Sequence, residues 1–259
     1  GGERRGRERG KEQRKAGEKP DPRSHLTVLV TGASGTLGRR VMAALEQRGH
    51  PHQAAGRDLK ALDLNDVAAV VVCATHSRRP DDVDLFQVEF FAHTGLHVVY
   101  PSIVGCDLMP NAYYEAKAKC EQRLSAAPHT IIRATQYHQL IWGWYTAPRR
   151  WPWLVVPAAT RYQVLDPTVH ARALVEAAVG EPIGRGPDIG GPTAYEAAAL
   201  ARSCQRAAGL RRLVVPLNRR GLLGASLRAG ANLSPNRDQS GETWNQFLTR
   251  QMQRLLTKS

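Results

Sequence analysis

The chain is poor in the residues from which disulfide scaffolds, zinc sites and membrane spans are built. Its 259 residues include four cysteines, Cys73, Cys106, Cys120 and Cys204. They are scattered, with no Cys-x-x-Cys pair, which argues against a disulfide framework and a local zinc site and leaves four reduced thiols. The histidines are dispersed as well. The one close pair, His50 and His52, has no companion ligand, so no metal is expected. No apolar run approaches the ~20 residues that cross a bilayer, and no signal peptide precedes the first apolar segment. The expected setting is cytoplasmic, with no membrane partner.

Carboxylates are scarce too: 23 Asp and Glu stand against 36 Lys and Arg, a formal net charge of +13. Residues 1–25 hold nine of the basic and five of the acidic residues. This stretch has almost no apolar side chains and is expected to be a disordered basic tail. The remaining surplus suits an anionic small molecule. No specific nucleic-acid partner is expected.

What is present centres on residues 27–45. Val28, Leu29 and Val30 read as a buried parallel strand. The strand runs into Gly32-x-x-Gly35-x-x-Gly38 and then into a helix with Leu37, Val41 and Leu45 on one face. Such a loop is a dinucleotide site. The first glycine permits the tight turn, the second lets the backbone approach a pyrophosphate and the third lets helix and strand pack closely. The N–H groups of the helix start hold the phosphates. Arg57 follows the second strand, at His52 to Ala55, where an arginine accommodates the 2′-phosphate of NADP and a carboxylate would select NAD. Asp58 comes one residue late for that second role, so NADP is expected over NAD.

Further on, strands and helices alternate. Val67 to Ala74 is a strand whose end, Cys73-Ala-Thr75, lies at the carboxyl edge, and residues 82–94 form a helix with Val83, Phe86, Val88 and Phe90 or Phe91 apolar. His97 to Ser102 is a strand, Asn111 caps a helix over 112–126, and Thr130 to Thr135 is the next strand. The fold expected is α/β, a doubly wound parallel sheet of Rossmann type. Residues 26–135 would be its dinucleotide-binding core and 136–259 a small C-terminal substrate lobe with closing helices. Within the latter, Asp166-Pro-Thr starts a helix that stops at Gly180. Thr193-x-x-Glu196 reads as a capping box for a helix to Ala208, Leu213 to Leu217 is a strand, and Glu242 to Leu256 closes the chain. Residues 136–153 hold four of the five tryptophans. They could line a substrate cavity or form a lid or oligomer surface.

One stretch breaks the pattern. A parallel pair needs a crossover of about a dozen residues, usually helical, and none fits between Asp63 and Val67. Either one strand is missing or this edge of the sheet is rebuilt.

The chemistry-bearing pattern is Tyr113-Tyr-Glu-Ala-Lys117. On a helix, i and i+4 share a face, so phenol and ammonium can address one site. The phenol would exchange a proton with substrate while the ammonium assists it and binds the nicotinamide ribose. Tyr114 is adjacent and could be the exposed phenol instead. Ser102, at the end of its strand, could hydrogen-bond a substrate carbonyl and stabilise oxyanion charge.

Val-Thr-Gly-Ala-Ser-Gly-Thr-Leu-Gly resembles the nucleotide loop of the extended and atypical short-chain dehydrogenases/reductases, and is most similar to their NmrA-like branch. Tyr-Pro-Ser-Ile-Val-Gly, Tyr-Tyr-Glu-Ala-Lys-Ala-Lys-Cys-Glu, Ile-Ile-Arg-Ala-Thr-Gln-Tyr-His and Asp188-Ile-Gly-Gly-Pro look like later blocks of the same family. The resemblance covers about residues 26–255. It implies that Gly32, Ser34, Gly35, Thr36, Leu37 and Arg57 contact phosphates and ribose, that Asp63, in Leu62-Asp-Leu64, approaches the adenine, and that Thr75 flanks the nicotinamide. The Thr135 strand end would face the substrate. An NAD(P)H-dependent oxidoreductase acting on a small carbonyl, alcohol or quinone is the resulting expectation. A non-catalytic NADP-binding sensor and a degenerate scaffold are the alternatives.

Overall fold

The computed structural model describes residues 26–76, 79–148 and 151–257. The expected basic tail lies outside them. The chain begins with β1 (Thr27–Thr31), α1 (Gly38–Gln47), β2 (His52–Ala54) and β3 (Val67–Val72), followed by α2 (Phe86–Ala92), β4 (His97–Ile103), α3 (Ala112–Leu124) and β5 (His129–Ala134). It continues through α4 (His138–Thr146), β6 (Trp153–Pro157), β7 (Arg161–Gln163), α5 (Pro167–Val179) and β8 (Gly184–Arg185). The last elements are β9 (Ala194–Glu196), α6 (Ala197–Ala207), β10 (Leu213–Leu217), α7 (Gly221–Ala229) and α8 (Trp244–Leu256).

Six strands form one parallel sheet in the order β2-β1-β3-β4-β5-β8. Helices cover both faces, as continuous apolar strands such as Val67–Val72 require. Val28, Val30 and Val71 pack with Leu37, just before α1, with Val41 and Leu45 of α1 and with Leu174 and Val175 of α5. Leu29, Val70 and Val98 pack on the other face with Val88 and Phe91 of α2 and Leu124 of α3. Thus α5 and β8, although they follow residue 136, complete the core rather than the lobe. The lobe has its own core, in which Ile141, Leu154, Leu200, Trp244 and Phe247 are buried together.

The contraction after β2 resolves as a shorter sheet. Among the described residues no strand lies beyond β2. The chain returns to β3 through residues 55–66 with a single 3-10 turn, Leu59–Ala61, capped by the Asp58 side chain. Leu59 is buried and Leu62 and Leu64 pack beside it on the α2 face, so three leucines cover what a crossover helix would otherwise cover. The capping box read at Thr193 does not form. Residues Ala194–Glu196 pair antiparallel with β7, and α6 starts only after Glu196 without a side-chain cap. A reciprocal box does open α8, between Thr243 and Gln246.

Candidate functional site

The strands all run the same way, but their order turns back between β1 and β3, and at such a switch point open α/β sheets bind ligands in a crevice at the carboxyl ends of the strands. The glycine loop fills one side. Gly32 has φ +59°, and a Cβ there would come within 2.6 Å of the Ala74 backbone, so only glycine permits the turn and the close approach to β3. A Cβ at Gly38 would strike the Gly32 carbonyl. Gly35 has open space apart from that same oxygen, and Ser34, Gly35 and Thr36 are exposed while Leu37 is buried. No side chain caps α1 and no acid occupies its first turn. This uncapped start beside a side-chain-free backbone fits a pyrophosphate.

The other side of the crevice is a hydrogen-bonded chain. The Thr75 hydroxyl donates to Asp84 Oδ1 at 2.9 Å and lies 3.2 Å from the Tyr113 hydroxyl. A carboxylate only accepts, so Thr75 gives its proton to Asp84 and Tyr113 donates to Thr75. Lys117 Nζ sits 2.8 Å from the same Asp84 oxygen and donates to the Pro101 carbonyl at 3.2 Å. It also lies 4.6 Å above the Tyr100 ring and 5.8 Å from the Tyr113 ring. Burial opposes the ammonium, but Tyr100, Tyr113 and Asp84 outweigh it and hold its pKa well above the ordinary value. Tyr113 is half-buried and Thr75 exposed, so the hydroxyl end of the chain meets solvent and the charged end does not.

No protein-family model matches the chain, and no curated protein matches it in sequence. Solved structures do match. A short-chain dehydrogenase/reductase superfamily protein from Agrobacterium tumefaciens with bound NAD superposes with a TM-score of 0.66, covering 90% of this chain and 99% of that one at 16% identity. An NAD-dependent NDP-hexosamine 5,6-dehydratase gives 0.64, covering 90% and 99% at 14% identity. The Escherichia coli NADPH-dependent quinone oxidoreductase QOR2 gives 0.62, covering 86% and 98% at 16% identity. The fold is that of the short-chain dehydrogenases/reductases.

Within this short-chain dehydrogenase fold the expected residues divide. Gly32 to Gly38 follow the carboxyl end of β1 and Thr75 that of β3, with Gly32 against Ala74, and Tyr113 joins Thr75 and Lys117. Tyr114 does not. It packs against the lobe core with its hydroxyl 3.5 Å from the Gln136 amide, and burial raises its pKa. Arg57 is exposed just past β2, with no hydrogen bond or ion pair among the described residues. Asp63 is exposed and caps its own turn through the Asn65 N–H at 3.1 Å.

Ser102 is placed differently from the expectation. It is 3% exposed, and its hydroxyl donates to Glu121 Oε1 at 2.5 Å. Glu121 also receives Arg133 at 2.7 and 2.6 Å, and Arg133 reaches Asp107 at 2.9 Å. Ser102 stands in register with Arg133 across β4 and β5, so alternation turns both toward α3 rather than the sheet edge. The four cysteines are free, and burial pushes Cys73 and Cys106 up to about 12.

Sequence reading missed Asp84. The segment Asp81-Asp-Val-Asp84 looks like a solvated helix start, yet Asp84 is 0% exposed and Phe86, expected in the core, is 52% exposed. A π-helical turn over Asp81–Leu85 shifts the buried face. The available signal was the spacing Asp84, Val88, Phe91, which puts a carboxylate in a core stripe at i, i+4 and i+7.

Proposed function

We propose that the chain is an NAD(P)H-dependent oxidoreductase moving hydride between a nicotinamide and a small carbonyl, alcohol or quinone, with NADP preferred over NAD. The observation that carries this reading is the chain from Tyr113 through Thr75 and Asp84 to Lys117, set across a crevice from the uncapped glycine loop. When bound, the nicotinamide supplies the hydride chemistry. The loop with Gly32, Ser34, Gly35, Thr36, Leu37 and Gly38 would hold the pyrophosphate, Arg57 the 2′-phosphate and Asp63 the adenine edge. Tyr113 would exchange a proton with the substrate oxygen at its hydroxyl. As that proton leaves, the Thr75 hydroxyl turns from Asp84 to the phenolate, and the buried Lys117 charge steadies it.

A second reading is a dinucleotide sensor of NmrA-like type without turnover. It is favoured by Lys117 and Ser102, which are both 3% exposed and committed to carboxylates rather than to the crevice. Titration with NADPH and NADH, followed by tryptophan quenching, together with a quinone and carbonyl screen of wild type and Tyr113→Phe, separates them. NADPH should bind more tightly than NADH, and Tyr113→Phe should bind equally but turn over about 10²–10⁴-fold more slowly. Binding without turnover in either protein selects the sensor. Failure to bind either dinucleotide sinks both readings.

A further inference from the structure

The lobe carries a surface that the crevice does not use. β6 and β10 form a separate parallel pair, with Trp153 opposite Leu213, Val155 opposite Val215 and Pro157 opposite Leu217. Alternation puts these six on one face, while Leu154 and Val156 on the other are buried in the lobe core. The first face is uncovered. Trp153 is 47%, Val155 52%, Leu213 68% and Leu217 53% exposed, and Trp151, 64% exposed, leans on Trp153 with ring centroids 5.3 Å apart. An apolar patch of this kind marks an interaction surface.

The stretches of sequence that build this part of the lobe are basic. Residues 136–165 and 197–237 contain eleven arginines and no aspartate or glutamate. Arg202, Arg206, Arg211 and Arg212 line a groove of about 460 Å³ that Leu213 also lines, so the basic groove and the apolar face meet at that residue. Arg212 is held by the Tyr145 and Ala147 carbonyls, and among the described residues none of the four is ion-paired. Exposed Arg219 and Arg220 follow the far end of β10.

We propose that this face docks the protein on an anionic lipid bilayer, its tryptophans and aliphatic side chains entering the interface while the arginines take lipid phosphates. Nucleic acid would match the charge but gives Val155, Leu213 and Leu217 nothing to stack on. Self-pairing would set arginines against arginines. The docking is attachment to one leaflet. It amends the expectation of no membrane partner, which rested on the absence of a spanning run, and among the described residues no helix is long and apolar enough to cross. It does not depend on the oxidoreductase reading.

Flotation of the full chain with vesicles of phosphatidylcholine, alone or mixed with phosphatidylglycerol, tests the proposal. The protein should float with the mixed vesicles and not with the neutral ones. Binding should fall about tenfold or more in Leu213→Ser/Leu217→Ser and in Arg206→Glu/Arg211→Glu, since each basic residue near the surface is worth about fivefold. All four positions are exposed, so circular dichroism and melting should stay native. Trp151→Ser, outside both strands, serves if the strand variant misfolds. No binding to mixed vesicles, or undiminished binding in both double variants, overturns the proposal. It is equally overturned by a dimer in sedimentation that Leu213→Ser/Leu217→Ser abolishes, or by tighter retention on a DNA duplex than on the vesicles.

Discussion

Two charge clusters hang from one face of α3, a turn apart, and they treat a neighbouring hydroxyl in opposite ways. Lys117 meets Asp84 at 2.8 Å with both side chains almost wholly buried, and the pair presents Thr75 and Tyr113 toward the crevice. Glu121 meets Arg133 and takes the Ser102 hydroxyl at 2.5 Å, so that both its oxygens and the hydroxyl are engaged. The two arrangements look alike in sequence: a hydroxyl residue at a strand end and a charge on the helix. The third partner separates them. Asp84 arrives from the turn before α2, at the sheet edge, whereas Arg133 arrives from within β5, inside the layer. A cluster fed from the edge leaves an open end, and one fed from within closes.

The largest effect expected is from Asp84→Asn, which leaves the Lys117 ammonium buried without a counter-charge. It should cost about 3–5 kcal/mol, read as a fall in the urea midpoint. An unchanged midpoint would mean that Lys117 is not held as the geometry implies.

Glu121→Gln should cost less, about 2 kcal/mol, because Asp107 remains 2.9 Å from Arg133. It should also change the acid limb of the stability curve. Burial alone would raise the Glu121 carboxyl, but the Arg133 donors and the Ser102 hydroxyl hold it below its ordinary 4.5. A folded value below the unfolded one means that this stability is present above the unfolded value and is lost as pH falls through the folded value. Wild type should therefore lose stability below pH 4.5 more steeply than Glu121→Gln, and parallel curves would count against the cluster.

The smallest effect is Ser102→Ala, about 1 kcal/mol in stability with turnover unchanged. A large loss of turnover there would return Ser102 to the chemistry and erase the contrast between the two clusters.

Much of this was legible before folding. The strand, loop and helix of residues 27–45 follow from spacing within a few residues, and the structure shows Gly32 and Gly38 where only glycine fits. The i,i+4 rule brought Tyr113 and Lys117 to one face. The Thr193 capping box misled because the same residues found a better partner in β7, and strand pairing satisfied the backbone that a cap would have served. Asp84 was hidden because a one-residue change of helical phase decides which of three aspartates is buried.

The sequence by itself determined the strand and helix of residues 27–45, the glycine turn between them and the pairing of phenol with ammonium, because these depend on groups a few bonds apart. Only the tertiary structure decided that Lys117 belongs to Asp84, that Ser102 belongs to Glu121 and Arg133, and that β8, between elements of the lobe in sequence, joins the edge of the sheet. A buried charge must find a partner to offset its desolvation. That partner is set by which layers meet, and nothing in local spacing names it.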